Sequence, residues 1–239
     1  MNLQEECKKK KVAICYRGHF YREDPRKGLL GKPDVNSNFF KCYPNNSEIL
    51  FRDFGEVDVF LHTYCAGPKK NEKLIEMLNP KKFKIDQFRR RRHDLTNSIL
   101  KSANLVDPSE YDLIINTRFD LIYKNHIWRY DLQFDKFNFI YREPFKFWSA
   151  NRAVCDLMHI YNPRYHADFI KATPLARDKF ALHKPKEYKR KRRAALHFLY
   201  DSLDIPDEEK NFLIKQHYHS NTSIRVSRKN PFIKINRSL

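Results

Sequence analysis

Arg118 and Asp120 are the residues whose types and spacing best suit chemistry in this sequence. They flank Phe119 and follow a short apolar run, residues 113–116. Such a run, rich in β-branched residues and preceded by turn formers, predicts a buried strand. In an open α/β sheet, ligands bind at the carboxyl ends of the strands. A guanidinium and a carboxylate at such an end suit a diphosphate and its metal ion, with an Arg–Asp surface pair as the alternative.

The two side chains receive separate roles. Carboxylate oxygens are hard ligands that suit Mg²⁺ or Mn²⁺, so we predict that Asp120 binds the metal and is catalytic. The metal stabilises the charge that builds on a leaving nucleoside diphosphate. Arg118 is predicted to contact the phosphates themselves.

A second strand end lies near the start of the chain. The apolar run 12–16 leads into Tyr16, Arg17 and Gly18. A backbone turn with a cation suits binding of a phosphate or a base, so these residues are predicted to hold the nucleotide. An ordinary strand-to-helix loop is the alternative.

A third strand is predicted over residues 57–64. It carries His62 and Tyr64 near its carboxyl end. We predict that they line the same pocket by stacking on a base or contacting a ribose. A hydrogen-bonded structural histidine is the alternative for His62.

A transfer with inversion needs a carboxylate near the acceptor hydroxyl as general base. Glu143, Asp156 and Asp168 stand in the segment that follows the central strand. We favour Asp156, which lies one turn beyond Arg152 in a predicted helix, 150–159. A helix-surface aspartate is the alternative.

Basic and histidine residues elsewhere supply further candidates. The four-arginine run 89–92 precedes the helix that leads into the central strand. Arg92 is predicted to point inward and bind the nucleotide, with a solvated basic turn as the alternative for the run. His217, followed by His219 after a predicted helix, is the candidate for a further metal ligand.

The elements that position these residues alternate in the first half. Strands and helices in turn imply parallel strands with crossovers on both faces, hence an α/β fold. Three strand ends then share one edge of the sheet. Strands are predicted at 12–16, 57–64, 82–88 and 113–116, and helices at 47–54, 71–78 and 93–105, with a long loop over 21–46 that holds a short helix at 37–42.

The second half is predicted to be richer in helix. We predict a polar tail over 1–10 and one domain over 11–239, divided into a nucleotide-binding half (11–121) and an acceptor-side half (122–239). Strands are predicted at 137–141 and 222–226, and helices at 150–159, 165–172, 187–202 and 207–217.

Composition narrows the classes of partner. The net charge is +18, from 47 Lys and Arg against 29 Asp and Glu, which favours polyanions, anionic membrane surfaces or phosphorylated small molecules. Aromatic residues at 14% exclude a disordered chain. Five scattered cysteines without C-x-x-C spacing argue against a zinc site and a disulfide framework.

Three blocks of the sequence resemble a known family. Residues 12–18, 57–64 and 111–121 are similar to glycosyltransferases of bacterial lipopolysaccharide loci and large DNA viruses, whose central strand ends in Arg-x-Asp. The resemblance covers roughly the first half. It implies a GT-A-like nucleotide-diphospho-sugar transferase fold, with a mixed, mostly parallel central sheet and helices on both faces, and a metal-assisted transfer. The usual motif of that fold is Asp-x-Asp, and here Arg118 occupies its first position.

The leading hypothesis is a glycosyltransferase that moves a sugar from a nucleotide-diphosphate donor to a glycan or glycoprotein acceptor. No nucleic acid is expected as its partner, and contact with an anionic surface stays open. A basic nucleic-acid-binding protein without catalysis is the alternative, and a nucleotidyl- or phosphotransferase is a third. With no signal peptide or apolar span in the sequence, we predict a cytoplasmic protein, or one of the host cytoplasm for a viral chain.

Overall fold

A seven-stranded β-sheet runs through the computed structural model, which describes residues 2–22, 37–87, 95–141, 154–183, 198–214 and 233–235. The strands of these stretches are β1 (Lys11–Gly18), β2 (Tyr21–Arg22), β3 (Ser37–Asn38), β4 (Glu56–Tyr64), β5 (Lys82–Asp86), β6 (Leu113–Arg118), β7 (Leu121–Tyr123), β8 (Phe137–Phe139), β9 (Met158–Tyr161), β10 (Lys210–Phe212) and β11 (Ile233–Ile235). The α-helices are α1 (Leu3–Cys7), α2 (Phe39–Asn46), α3 (Pro68–Leu78), α4 (Leu95–Ala103), α5 (His166–His183) and α6 (Leu199–Ser202).

The main sheet has the order β10-β8-β9-β6-β1-β4-β5. β1 pairs in parallel with β4 on one side and with β6 on the other. β9 runs antiparallel to β6 and β8, and so opposes the other strands of this sheet. The α/β architecture with a mixed, mostly parallel sheet is confirmed, as expected for the GT-A-like fold.

Helices cover both faces of the sheet. The apolar side chains of β1 point to both faces, and each face needs a layer that shields it from water. Val12 and Ile14 belong to one core, which includes residues of α1, α2 and α3. Ala13 and Cys15 belong to a second core on the opposite face, with residues of α4 and α5. A central parallel strand that is buried on both faces is a continuous hydrophobic run rather than an alternating one. This is why the sequence indicated β1 clearly.

Local sequence sets the ends of α3. Gly67 precedes it with φ +101°, and Pro68 occupies a first-turn position, where its missing N–H costs nothing. Asn79 ends the helix in the left-handed region at φ 41°. The predicted helix 71–78 and its stop are confirmed, with three more residues at the start.

The predicted helix over 150–159 is wrong in its described part. Met158 to Tyr161 form β9 instead, and all four residues are buried. Met158 and Ile160 pack into one core and Tyr161 into the other. Burial on both faces of a sheet favours a strand, and periodicity cannot separate so short an apolar run from helix.

The predicted helix over 207–217 is also wrong in its described part. The acidic turn after Pro206 is a 3-10 turn, Asp207–Glu209, and the chain continues into β10. β10 pairs in parallel with β8, and the Phe212 ring lies 5.6 Å from that of Phe139. Sheet pairing and aromatic packing therefore outweigh the helical start signal.

Helix α5 confirms the predicted helix over 165–172 and continues beyond it. Pro174, expected to end the helix, lies inside it. Phe169 and Ala172 before the proline and Ala176 after it are buried in the same core. Packing on both sides of Pro174 therefore keeps the helix continuous.

Further differences concern the chain ends. The predicted polar tail contains α1, whose Cys7 is buried. The predicted strand 222–226 lies outside the described residues, while β11 pairs antiparallel with β7. No helix in the described stretches is both long and apolar enough to cross a lipid bilayer.

Candidate functional site

The order in which the chain adds strands to the sheet reverses between β1 and β6. From β1 the chain adds β4 and β5 on one side, and it then returns to place β6 on the other. The carboxyl ends of the strands at such a switch point form the crevice where open α/β sheets bind ligands. Arg17 of β1 stands opposite Arg118 of β6 in the register of the two strands. Two guanidinium groups therefore mark the switch point.

Arg118 and Asp120 bind each other in a two-pronged ion pair. Arg118 Nε donates to Asp120 Oδ1 at 2.8 Å, and Nη2 donates to Oδ2 at 2.6 Å. Burial disfavours the charged guanidinium, but the Asp120 carboxylate outweighs it and raises the pKa of Arg118. The Arg118 side chain is 29% exposed and that of Asp120 10%. Arg118 is thus the accessible member of the pair.

Arg17, which is the neighbour of Arg118 on the adjacent strand, is 1% exposed. Its Nε donates to Asn116 Oδ1 at 2.8 Å, and its Nη2 donates to the carbonyl oxygen of Asp156. Burial lowers the pKa of Arg17 to about 10, against the raising effect of the Asp156 carboxylate. The guanidinium therefore stays protonated at neutral pH.

Asp156 completes the group, although not from a helix. It lies in a bend before β9, and its carboxylate acts electrostatically on both Arg17 and Arg118. The structure thus brings together four predicted site residues from both halves of the chain. We call Arg17, Arg118, Asp120 and Asp156 the Arg–Asp cluster. Its formal charges balance to zero.

His62 occupies a buried hydrogen-bond relay beside the cluster. Its Nδ1 lies 2.8 Å from Ser98 Oγ, and its Nε2 lies 3.0 Å from Asp86 Oδ2. Gly18 N donates to Ser98 Oγ at 2.9 Å, so the Ser98 hydroxyl proton is directed to Nδ1. Nε2–H then donates to Asp86, whose pKa is lowered to about 2 by hydrogen bonds from Lys101 and His62. This neutral tautomer satisfies each group of the relay.

The relay predicts an acid-sensitive fold. Burial lowers the pKa of His62 below its ordinary 6.5. As the pH falls through 6.5, His62 is therefore protonated more readily in the unfolded state than in the folded state, which lowers the stability of the fold. We expect the unfolding free energy in urea to fall between pH 7.5 and 5.5, and to fall less in His62→Gln. Part of the loss remains in that variant, because burial also lowers the pKa of His166. Identical pH dependence in the two proteins would contradict a titrating role for His62.

Gly18 and Tyr64 frame the same edge. Gly18 has φ +93°, a conformation that favours glycine, and its carbonyl accepts a hydrogen bond from Thr63 Oγ1 at 2.8 Å. Its N–H is engaged by Ser98. The Tyr64 ring packs 4.7 Å from the His19 ring and 5.3 Å from the His62 ring, between centroids. Both residues shape the edge, and direct contact with a nucleotide stays a prediction.

Tyr16 lies in the core rather than at the edge. It is fully buried, its hydroxyl donates to Asn46 Oδ1 at 2.8 Å, and its ring stacks on Phe119. A strand alternates its faces, so Tyr16 points away from the face that carries Arg17. Its side chain is therefore occupied by packing and not available to a ligand.

The predicted metal site was tested against the residues that would form it. Both Asp120 oxygens are engaged by Arg118, and no three His, Cys, Asp or Glu side chains in the described stretches are grouped to hold a metal ion. Arg92 and His217 lie outside the described residues. The described residues therefore contain no site that is already arranged for a divalent cation.

Sequence reasoning missed three partners of the site: Asn116, Ser98 and Asp86. Asn116 is a polar residue inside an apolar run. It is polar because its side chain accepts a hydrogen bond from the buried Arg17. Asp86 ends β5, so the argument applied to the other strand ends would have found it. Ser98 reaches the site from α4, and only the tertiary packing reveals its role.

The basic cluster at residues 8–11 lies at the other edge of the sheet. Lys8 Nζ donates to the Arg52 carbonyl, and Lys11 Nζ lies 3.8 Å from Glu56 Oε2. Six residues of strand separate Lys11 from Arg17, or about 20 Å. The other two basic clusters, 89–92 and 184–193, lie outside the described residues.

No protein-family model matches the chain, and no curated protein matches it. Among solved structures it is similar to an inositol-1-phosphate CTP transferase from T. maritima, at 10% identity over 67% of this chain and 73% of that one, with a TM-score of 0.39. It is also similar to the glycosyltransferase GlyE of Streptococcus pneumoniae TIGR4 (11% identity, TM-score 0.44, 86% of this chain) and spans 46% of that chain. A third is 4-diphosphocytidyl-2C-methyl-D-erythritol synthase from Anaerococcus prevotii, at 11% identity over 91% of both chains, with a TM-score of 0.43. Likeness this distant does not extend to activity.

Proposed function

We propose that the protein is a glycosyltransferase that moves a sugar from a nucleotide-diphosphate donor to a glycan or glycoprotein acceptor. The observation that carries this proposal is the pair of guanidinium groups, Arg17 and Arg118, at the carboxyl-end switch point of the sheet. A guanidinium fork matches the geometry of phosphate oxygens, and Arg118 is accessible.

Three members of the Arg–Asp cluster have a part in the proposed transfer. The bond between the sugar and the diphosphate breaks, and its electron pair leaves with the nucleoside diphosphate. Arg118 stabilises the charge that develops there, with Arg17 contributing from the adjacent strand. An acceptor oxygen forms the new bond to the sugar carbon, and its proton passes to Asp156 as general base.

The division of the chain agrees with this assignment. Arg17, Arg118 and Asp120 come from residues 11–121, proposed as the nucleotide-binding half. Asp156 comes from residues 122–239, proposed as the acceptor-side half. In this proposal the cluster lies between the donor and the acceptor, as a direct transfer requires.

A thermal-shift screen with nucleoside diphosphates and their sugars tests the proposal. A ligand at 100 times its Kd adds about 2.7 kcal/mol to the stability of the folded state. For a chain of this size we expect the melting temperature to rise by about 5–10 °C. The matching nucleosides, which lack the diphosphate, are the control and should give a smaller shift. No shift with any donor would contradict the proposal.

The products identify the bond that breaks. Slow hydrolysis of a bound nucleotide sugar should release the nucleoside diphosphate and the free sugar, separable by ion-exchange chromatography. Release of a nucleoside monophosphate would instead indicate attack at phosphorus, and the glycosyltransferase assignment would fall.

A further inference from the structure

The Asp120 carboxylate binds the guanidinium of Arg118 in the same way that a phosphate would bind it. Nε and Nη2 each donate to a separate Asp120 oxygen, at 2.8 and 2.6 Å. Two parallel N–H···O bonds are the arrangement by which arginine binds both carboxylates and phosphates. Asp120 and a ligand phosphate therefore compete for the same donor atoms.

Arg17 supplies a second, independent observation. Its Nη1 is buried and has no hydrogen-bond partner among the described residues, while Nε and Nη2 are bonded. A buried donor of a charged group without an acceptor is costly. The Asp156 and Asp120 carboxylates both act on Arg17 electrostatically, and Asp120 is the one that a phosphate on the neighbouring Arg118 would release.

We infer that Arg118 exchanges partners when the donor binds: the diphosphate takes the guanidinium of Arg118, and the Asp120 carboxylate moves to Nη1 of Arg17. This inference rests on the proposed function and deepens it. Asp120 is then the internal competitor of the donor phosphate and not a metal ligand. Arg17 is a positioning residue, because it receives Asp120 and does not touch the donor.

Electrostatics explains why the exchange needs both arginines. A carboxylate released beside a diphosphate would repel it, and that repulsion would oppose binding. The protonated Arg17 offsets the released charge, and Arg118 offsets part of the ligand charge. The cluster thus accepts an anion through a change of pairing, without a divalent cation.

Isothermal titration of the full chain tests the exchange. The probes are ADP, CDP, GDP, UDP, dTDP and inorganic pyrophosphate, each in EDTA and in MnCl₂. We expect at least one nucleoside diphosphate to bind wild type with Kd values that agree within about twofold in the two buffers. In Asp120→Asn the competitor for Arg118 is neutral, and neutral hydrogen bonds are about half as strong, so we expect binding at least about threefold tighter in EDTA.

A double-mutant cycle tests the part of Arg17. Arg17→Met removes Nη1, so released Asp120 finds no partner and binding should weaken at least about threefold. The double variant Arg17→Met/Asp120→Asn should bind more tightly than the two single effects together predict, approaching Asp120→Asn, because no released carboxylate then needs the Arg17 donor. Such non-additivity identifies coupling between two side chains. The control is Arg177→Met, which breaks an exposed Arg–Asp pair on α5.

The failures are distinguishable. Binding that requires Mn²⁺ and is lost in Asp120→Asn would overturn the exchange, since Asp120 would then be a metal ligand, yet the proposed function would stand. Binding of pyrophosphate but of no nucleoside diphosphate would contradict a nucleotide donor, and with it the proposed function. If Asp120→Asn does not fold, the comparison of wild type in EDTA and in MnCl₂ still decides the question.

Discussion

Replacing Arg118 by methionine is expected to lower the rate of donor turnover by about 100-fold or more, the usual loss when a group that stabilises transition-state charge is removed. Methionine keeps much of the length and apolar stem of arginine but has no donor for the diphosphate. The charge on the leaving group then develops beside a thioether. The measurement is nucleoside diphosphate released per unit time from the donor that the thermal-shift screen identifies.

Two further variants separate charge from geometry. Arg118→Lys keeps the cation but not the planar fork, so it should lose activity to an intermediate extent. Arg177→Met removes an arginine from an Arg–Asp pair that is exposed on α5, and it should turn over the donor like wild type. Equal activity of Arg118→Met and Arg177→Met would remove Arg118 from the site.

A loss of fold must not be mistaken for a loss of chemistry. Arg118→Met removes the fork that holds the nearly buried Asp120 carboxylate, which costs about 1–3 kcal/mol of stability even when Arg17 becomes its new partner. The double variant Arg118→Met/Asp120→Asn removes that displaced charge and should regain most of the stability. Its turnover should stay as low as that of Arg118→Met. Recovery of both together would mean that Arg118 acts on the fold alone.

The central strands were predictable because their burial is simple. β1 and β6 are buried on both faces, and each sequence carries an apolar run that ends in polar and charged residues. Once they are neighbours in a parallel sheet, Arg17 and Arg118 must lie side by side. The position of the candidate site thus followed from strand order and the rule for carboxyl ends.

The pairings inside the site were not predictable in the same way. Whether Asp120 faces a metal ion or its neighbour Arg118 depends on side-chain rotamers, which no spacing in the sequence determines. His62 likewise needed the positions of Ser98 and Asp86, which come from α4 and β5. Contacts between residues distant in sequence decide which polar groups are already satisfied.

The second half was harder because its strands are short. β9 and β10 have four and three residues, too few for a period of two to be told from a helical period. Asp156 was therefore assigned to a helix, although its electrostatic tie to both arginines agrees with its predicted place at the site. A residue can thus lie beside the candidate site although the element predicted to carry it is wrong.

Replacing Phe119 by alanine is expected to cost about 3–5 kcal/mol of unfolding free energy, the usual range for a fully buried phenylalanine. The ring has no exposed surface and lies 5.1 Å from Tyr16, 5.2 Å from Phe39 and 6.1 Å from Phe20, between centroids. Because these rings come from β1, its following turn and α2, the cavity would lie between elements that cannot close on it easily. Urea unfolding followed by far-ultraviolet circular dichroism measures the change.

Phe83→Ala is the matched control, because Phe83 lies on the edge strand β5 and is 49% exposed. It loses the same atoms but little buried packing, so its cost should stay below about 1.5 kcal/mol. Equal losses in the two variants would contradict the anchoring role of Phe119. Phe119 also stands between Arg118 and Asp120, so its ring holds the turn from which both charges project. Phe119→Leu refills most of the cavity, and it should recover stability and diphosphate affinity together if the core packing positions the ion pair.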